Sequence, residues 1–116
     1  MPIVWLPIAV QDLIHLRTYI TDQDPQAARK VAICIEQAVS YLAAMPNLGR
    51  QGRIFGTREL VISGTPFLAV YRMQNSRIEI LQILHGRQPF PETFNKLKLP
   101  LRRRVFDLGT KFELLL

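Results

Sequence analysis

Apolar positions in this chain keep a helical spacing up to about residue 44 and a two-residue spacing from about residue 57, so a helical half precedes a sheet half. Ile3-Val4-Trp5 is a short β-type run stopped by Leu6-Pro7, and Pro7 suits the first turn of a helix, where a backbone donor has no partner to lose. Ala9, Leu13, Leu16 and Ile20 fall at i, i+4, i+7 and i+11, with Val10 and Ile14 widening the stripe, which predicts an amphipathic helix over about 7–21. Its polar face holds Gln11, Asp12 and Arg17. Thr21-Asp22-Gln23-Asp24-Pro25 breaks that pattern, placing Asp24 as N-cap and Pro25 as first residue of a second helix over about 25–44. Ala28, Val31, Ala32, Ile35, Ala38, Val39 and Leu42 repeat at three and four there, and the alanines allow an antiparallel neighbour to approach closely.

Met45 to Arg53 has no period and carries two glycines and a proline, which predicts a loop. Thr57–Ile62, Pro66–Met73 and Arg77–Leu84 then read as three strands, separated by Ser63-Gly64-Thr65 and Gln74-Asn75-Ser76. In the third, both alternating sets are apolar, Ile78, Ile80 and Leu84 against Leu81 and Ile83, so this strand is expected to be covered on both faces. The first shows Arg58 and Glu59 near an edge. The fold class implied is α+β in the order β-α-α-β-β-β, an N-terminal helical hairpin packed on a mainly antiparallel sheet. The length of 116 residues fits one domain, placed at 1–91, with 92–116 as a C-terminal extension where a short helix near 92–99 is expected between prolines.

Composition narrows the class. At 48% hydrophobic and 21% charged residues the chain can bury a core, yet its apolar runs stop well short of the ~20 residues of a bilayer span, so no membrane association is expected. Met1 to Trp5 lacks the basic and apolar regions of a secretory signal, and a cytoplasmic location follows as an expectation. Cys34 stands alone and reads as a small core residue, while His15 and His85 sit at no ligand spacing with it, so neither a metal nor another cofactor is expected.

The net charge of +6 is uneven. Residues 1–44 carry three basic against four acidic groups and residues 45–116 twelve against five, or −1 and +7. A basic second half favours an acidic partner, protein or nucleic acid. No phosphate loop, dinucleotide fingerprint or nucleophile elbow is present. Glu59 and Glu79 could form an acid/base pair, but carboxylates in adjacent strands more simply pair with arginine, and Arg58, Arg72 and Arg77 are at hand. Arg50, Arg53, Arg58, Arg72, Arg77 and Arg87 all fall in a loop or strands able to share one face or rim, and their planar forks suit phosphate and carboxylate. A metal-free ribonuclease needs cations on the phosphate and a base for the 2′-hydroxyl, for which only His85 with Arg72 and Arg87 is available. Lysine is absent between positions 31 and 95 and every tyrosine precedes the last strand, which leaves that catalytic set incomplete.

Trp5, Ala9, Asp12-Leu13, Tyr19-Ile20, Pro25-Gln26-Ala27-Ala28, Ile35, Leu42, Pro46, Gly49-Arg50 and Gly52 in the first half are followed by Gly56-Thr57-Arg58-Glu59-Leu60, Gly64-Thr65-Pro66-Phe67, Val70-Tyr71-Arg72, Glu79-Ile80-Leu81 and Leu84-His85-Gly86-Arg87. In order and spacing these resemble the RelE/ParE superfamily of bacterial toxin–antitoxin modules, most closely its ParE branch, from residue 3 to about 90. The resemblance implies the same β-α-α-β-β-β fold and a growth-arresting toxin neutralised by a cognate antitoxin, with plasmid stabilisation as a role. ParE-like members are described as poisons of DNA gyrase and not as hydrolases, so Arg53, Arg58, Arg72 and Arg87 are the candidate partner contacts and no catalytic residue is assigned. RelE-like members resemble ribosome-dependent mRNA endonucleases, and on that alternative His85, Arg72 and Arg87 would act on ribosome-bound mRNA. Gln88 and Phe90 stand where that branch carries a tyrosine. A further alternative is a non-toxic relative that only binds antitoxin, and homo- or hetero-oligomers fit either case. Leu6 replaces the Ser or Thr that caps the first helix in the family, a loss of about 1 kcal/mol by comparison with alanine.

Overall fold

The computed structural model describes residues 1–86; Arg87, the helix expected near 92–99 and the rest of the extension lie outside the described residues. The elements are β1 (Ile3–Trp5), α1 (Pro7–Gln23), α2 (Pro25–Ser40), a 3-10 turn at Tyr41–Ala43, β2 (Arg50–Gln51), β3 (Arg58–Val61), β4 (Phe67–Gln74) and β5 (Arg77–His85). They form a five-stranded sheet in the order β1-β5-β4-β3-β2, with β1 parallel to β5 and the other pairs antiparallel. The α+β fold expected from periodicity is present, with one addition. Arg50 and Gln51, inside the predicted loop, pair with Glu59 and Arg58 as a two-residue edge strand, too short for any alternation to show.

Asp24 alone turns the hairpin. Its N–H closes α1 on the Ile20 carbonyl at 2.7 Å, and its Oδ1 accepts from the Gln26 and Ala27 amides at 3.1 and 3.2 Å, satisfying two of the open donors of α2. Leu6 occupies the N-cap position of α1 without a side-chain cap bond, and its side chain is fully buried instead. Full burial of a leucine is worth roughly 1.5–3 kcal/mol, more than the cap it forgoes. Val10 and Ile14, expected to widen the buried stripe, are exposed, because α1 meets the sheet along the narrower line of Ala9, Leu13 and Leu16. Cys34 is half-buried against the main core rather than enclosed in it.

The β4–β5 hairpin turns at Asn75 and Ser76, both at positive φ (54° and 58°), the paired left-handed geometry that follows the twist of two-residue hairpins. Within it Val70 pairs with Gln82 and Tyr71 with Ile80, so Leu81 is an extra residue and β5 carries a bulge. The bulge re-sorts the alternation read from sequence. Ile78, Ile80 and Ile83 join the hairpin-side core with Ile35, Val39, Leu42 and Tyr71, whereas Leu81 and Leu84 join Leu68, Val70, Leu6 and Ile54 in a second cluster. β5 is covered on both faces, as its composition implied, with Leu84 and Ile83 exchanged between them.

On the β1 side of β5 no strand continues past the Trp5–Ile80 pair among the described residues, and α1 supplies the acceptor there: Asp12 Oδ2 takes the Ile83 N–H at 3.0 Å. Burial pushes the Asp12 carboxyl up from 3.8 to about 6, against the Ile83 amide and nearby His15, which pull it down. The folded state therefore holds an extra proton between the two values, so this group's contribution to stability is full below pH ~4 and declines as pH rises to ~6. Asp12→Asn keeps an acceptor for Ile83 and is expected to flatten that part of the stability–pH curve in urea titrations. An unchanged slope would remove Asp12 as its source. No helix among the described residues is long and apolar enough to cross a membrane.

Candidate partner-binding site

Sheet alternation puts Glu59, Arg72 and Glu79 on the face away from the helical hairpin, and these three organise the arginines. Glu79 pairs directly across the ladder with Arg72, whose Nε donates to Oε1 at 2.6 Å, while Arg77 donates to Oε2 through Nε at 2.9 Å. Both Arg72 and Glu79 side chains are 1% exposed. Glu59, also buried, accepts from Arg50 Nη2 on one oxygen at 3.2 Å and from the Arg53 amide and Nε on the other at 2.9 and 3.1 Å. Burial alone would raise the Glu59 carboxyl, but the Arg53 amide and the Arg53 and Arg50 guanidiniums outweigh it and hold it below the usual range. Both glutamates are ion-paired, as the sequence reading preferred over an acid/base pair, although Glu59 takes Arg50 and Arg53 and not Arg58.

The arginines among the described residues do not share one face. Arg58, next to Glu59 on β3, points to the opposite side and donates from Nη1 to the Gly49 carbonyl at 2.7 Å. Arg53, a candidate partner contact, and Arg50 both keep substantial exposure. Arg72 is enclosed with Glu79, so a partner surface includes it only as buried charge, a placement that alternation within β4 could have shown. His85 pairs with Phe67 at the far end of the same hairpin, its ring edge-on to Phe67 with centroids 5.8 Å apart. Arg72 lies five residues further along β4, about 16 Å at the rise of a strand, too far to share one phosphate with His85. Arg87 lies outside the described residues.

Sequence reasoning missed an apolar cleft of about 290 Å³ between α2 and β3, lined by Cys34, Ala38, Tyr41, Leu48, Leu60 and Val61. Tyr41 and Val61 are 60% and 56% exposed there. Its signal in the sequence was Val61, the one apolar residue on the outward set of β3, and Leu48 inside an otherwise polar loop. The loop is held against the sheet by Tyr71, whose hydroxyl accepts the Gly49 amide at 2.9 Å and donates to the Pro46 carbonyl at 2.8 Å. This edge therefore exposes apolar side chains close to Arg58, which is bonded to Gly49 of the loop that carries Leu48.

Residues 3–90 match the family described as the ParE toxin of the type II toxin-antitoxin system, parDE. The chain is 40% identical over 88 residues to "Putative toxin Y4kP" of Sinorhizobium fredii, covering 76% of this chain and 91% of that protein. It is 32% identical over 84 residues to "Toxin RelE2" of Caulobacter vibrioides, covering 72% and 93%. A solved structure titled "Chromosomal ParDE TA system from P. aeruginosa" superposes with a TM-score of 0.68 at 28% identity, over 73% of this chain and 95% of that one. With the family pattern running through the hairpin and every strand of the sheet, this chain belongs to the ParE toxins of type II toxin–antitoxin systems.

Proposed function

We propose that this protein arrests growth by inhibiting DNA gyrase, and that a cognate antitoxin silences it by seating apolar side chains in the α2–β3 cleft and acidic ones on Arg50, Arg53 and Arg58. The observation that carries this reading is the exposed apolar cleft bordered by guanidiniums on one edge of the sheet. An amphipathic acidic segment, laid as a helix in the groove or as a strand beyond β2, matches both features. The ParDE origin of the P. aeruginosa structure supports an antitoxin partner. The distance from Arg72 to His85 favours docking over hydrolysis, since the described residues bring no base together with two phosphate-binding arginines.

Purified protein is expected to inhibit supercoiling by gyrase, with the product of the neighbouring gene relieving it. Val61→Asp, which places an unpaired charge in the cleft, should weaken antitoxin binding by roughly tenfold or more in calorimetry and leave the fold intact. Full supercoiling activity at large toxin excess would overturn the gyrase assignment. Loss of mRNA in a translating extract, abolished by His85→Ala, would move the protein to the nuclease branch.

A further inference from the structure

β3 leaves a rung of its ladder open. The Gly52 N–H bonds the Thr57 carbonyl at 2.8 Å and Arg50 pairs with Glu59, so the backbone groups of Thr57, Glu59 and Val61 point toward β2. The Ile62 N–H, on the Phe67 carbonyl at 3.1 Å, sets Arg58, Leu60 and Ile62 toward β4 instead. Continued by one rung, the β2 line would bring Leu48 opposite Val61. The Leu48 amide bonds the Met45 carbonyl at 3.1 Å and the Gly49 amide is taken by the Tyr71 hydroxyl, so the chain has left the sheet before that position. Among the described residues no strand stands opposite the Val61 N–H and carbonyl.

This open rung lies between two clefts. Val61 pairs with Leu68, which sets its side chain on the face away from the hairpin, and it lines both the α2–β3 cleft and another of about 400 Å³ whose walls include Arg50, Thr65 and Leu68. The Arg50 side chain is 63% exposed and is held by Glu59 through Nη2. Resting on the reading that an antitoxin covers this edge, we propose that one of its segments enters as an extended strand in the line of β2 and exchanges N–H and carbonyl bonds with Val61. Alternation then dictates the sequence of that segment. The residue opposite Val61 lies on the same face as Arg50, two positions along the line, where an acidic side chain reaches the guanidinium. The residues before and after it turn to the hairpin side, where apolar side chains enter the cleft of Cys34, Ala38, Tyr41 and Leu48. A helix in the same groove fills the cleft but leaves the Val61 backbone unmet, because its own N–H and carbonyl groups are used within its turns.

The test combines the full chain with the full-length product of the neighbouring gene, reading binding by calorimetry and amide exchange by NMR. Complex formation should slow exchange of the Val61 amide roughly tenfold or more. Val61→Pro removes an N–H that faces no strand in the isolated protein, a position where an edge strand accepts proline, and should weaken binding roughly tenfold or more. Val61→Thr keeps the N–H and the branched shape and should change binding by less than about threefold. Arg50→Gln should weaken it roughly threefold or more at low salt, with the difference shrinking at high salt. Should Val61→Pro fail to fold, exchange of the Val61 amide in the unsubstituted complex decides the matter by itself. A complex in which that amide exchanges as fast as in the isolated protein, or in which Val61→Pro binds as well as Val61→Thr, overturns the strand and leaves the antitoxin reading standing. Indifference to Arg50→Gln at low salt overturns the acidic register, and absence of any binding overturns both readings.

Discussion

Glu79→Ala is expected to destabilise the protein by about 3–5 kcal/mol, the range found when one member of a buried ion pair is removed. The Arg72 side chain is 1% exposed and would keep its charge in a low-dielectric position without the carboxylate that compensates it. Single domains are stable by only roughly 5–15 kcal/mol, so the loss is a large share of the total. Glu79→Gln preserves shape and one acceptor but not charge, and should fall between. Replacing the pair together, Arg72→Met with Glu79→Leu, should recover most of the loss, because desolvating two charges offsets much of what their attraction returns. Urea midpoints measure all three. A loss below about 1 kcal/mol for Glu79→Ala would show that the pair contributes no more than a surface bridge.

Tyr71→Phe is expected to cost about 1–3 kcal/mol, since it strands the Gly49 amide and the Pro46 carbonyl, which the hydroxyl now serves at 2.9 and 2.8 Å. The effect should reach the partner surface, because those bonds hold the loop that feeds β2 and carries Leu48 to the apolar cleft. Faster hydrogen exchange at Gly49 and weaker antitoxin binding should accompany the stability loss. Burial raises the Tyr71 hydroxyl above its ordinary 10.0, against the Gly49 amide and Arg58, so the folded state keeps its proton longer than the unfolded chain. Stability should then fall as pH rises above about 10, with a slope that Tyr71→Phe lacks. Equal slopes in the two proteins would assign the alkaline loss to another group.

Local chemistry made much of the fold legible. Asp24-Pro25 could be read as a helix start because capping and the fixed φ of proline act within three residues, and the strands showed because Val, Ile and Tyr recur at a two-residue period. β2 escaped because two residues carry no period, and the exposure of Val10 and Ile14 escaped because the width of a buried stripe depends on how closely its neighbour packs. The arginines were visible as a set but not as an arrangement. Their residue type announces an affinity for anions, whereas sharing a face is a property of register.

Sequence by itself determined the order of the elements apart from β2, the two-sided burial of β5, the family and the excess of positive charge in the second half, all of which rest on residue type and short-range spacing. Tertiary structure alone decided that Leu81 bulges and exchanges Ile83 with Leu84, and that Arg72 is enclosed by Glu79. It also decided that His85 stands a strand's length from Arg72, and that Val61, Leu48 and Tyr41 meet in one cleft. The physical reason is the same in each case: one inserted residue or one pairing partner, set by contacts between segments distant along the chain, changes which side chains meet without altering the local preferences of any of them.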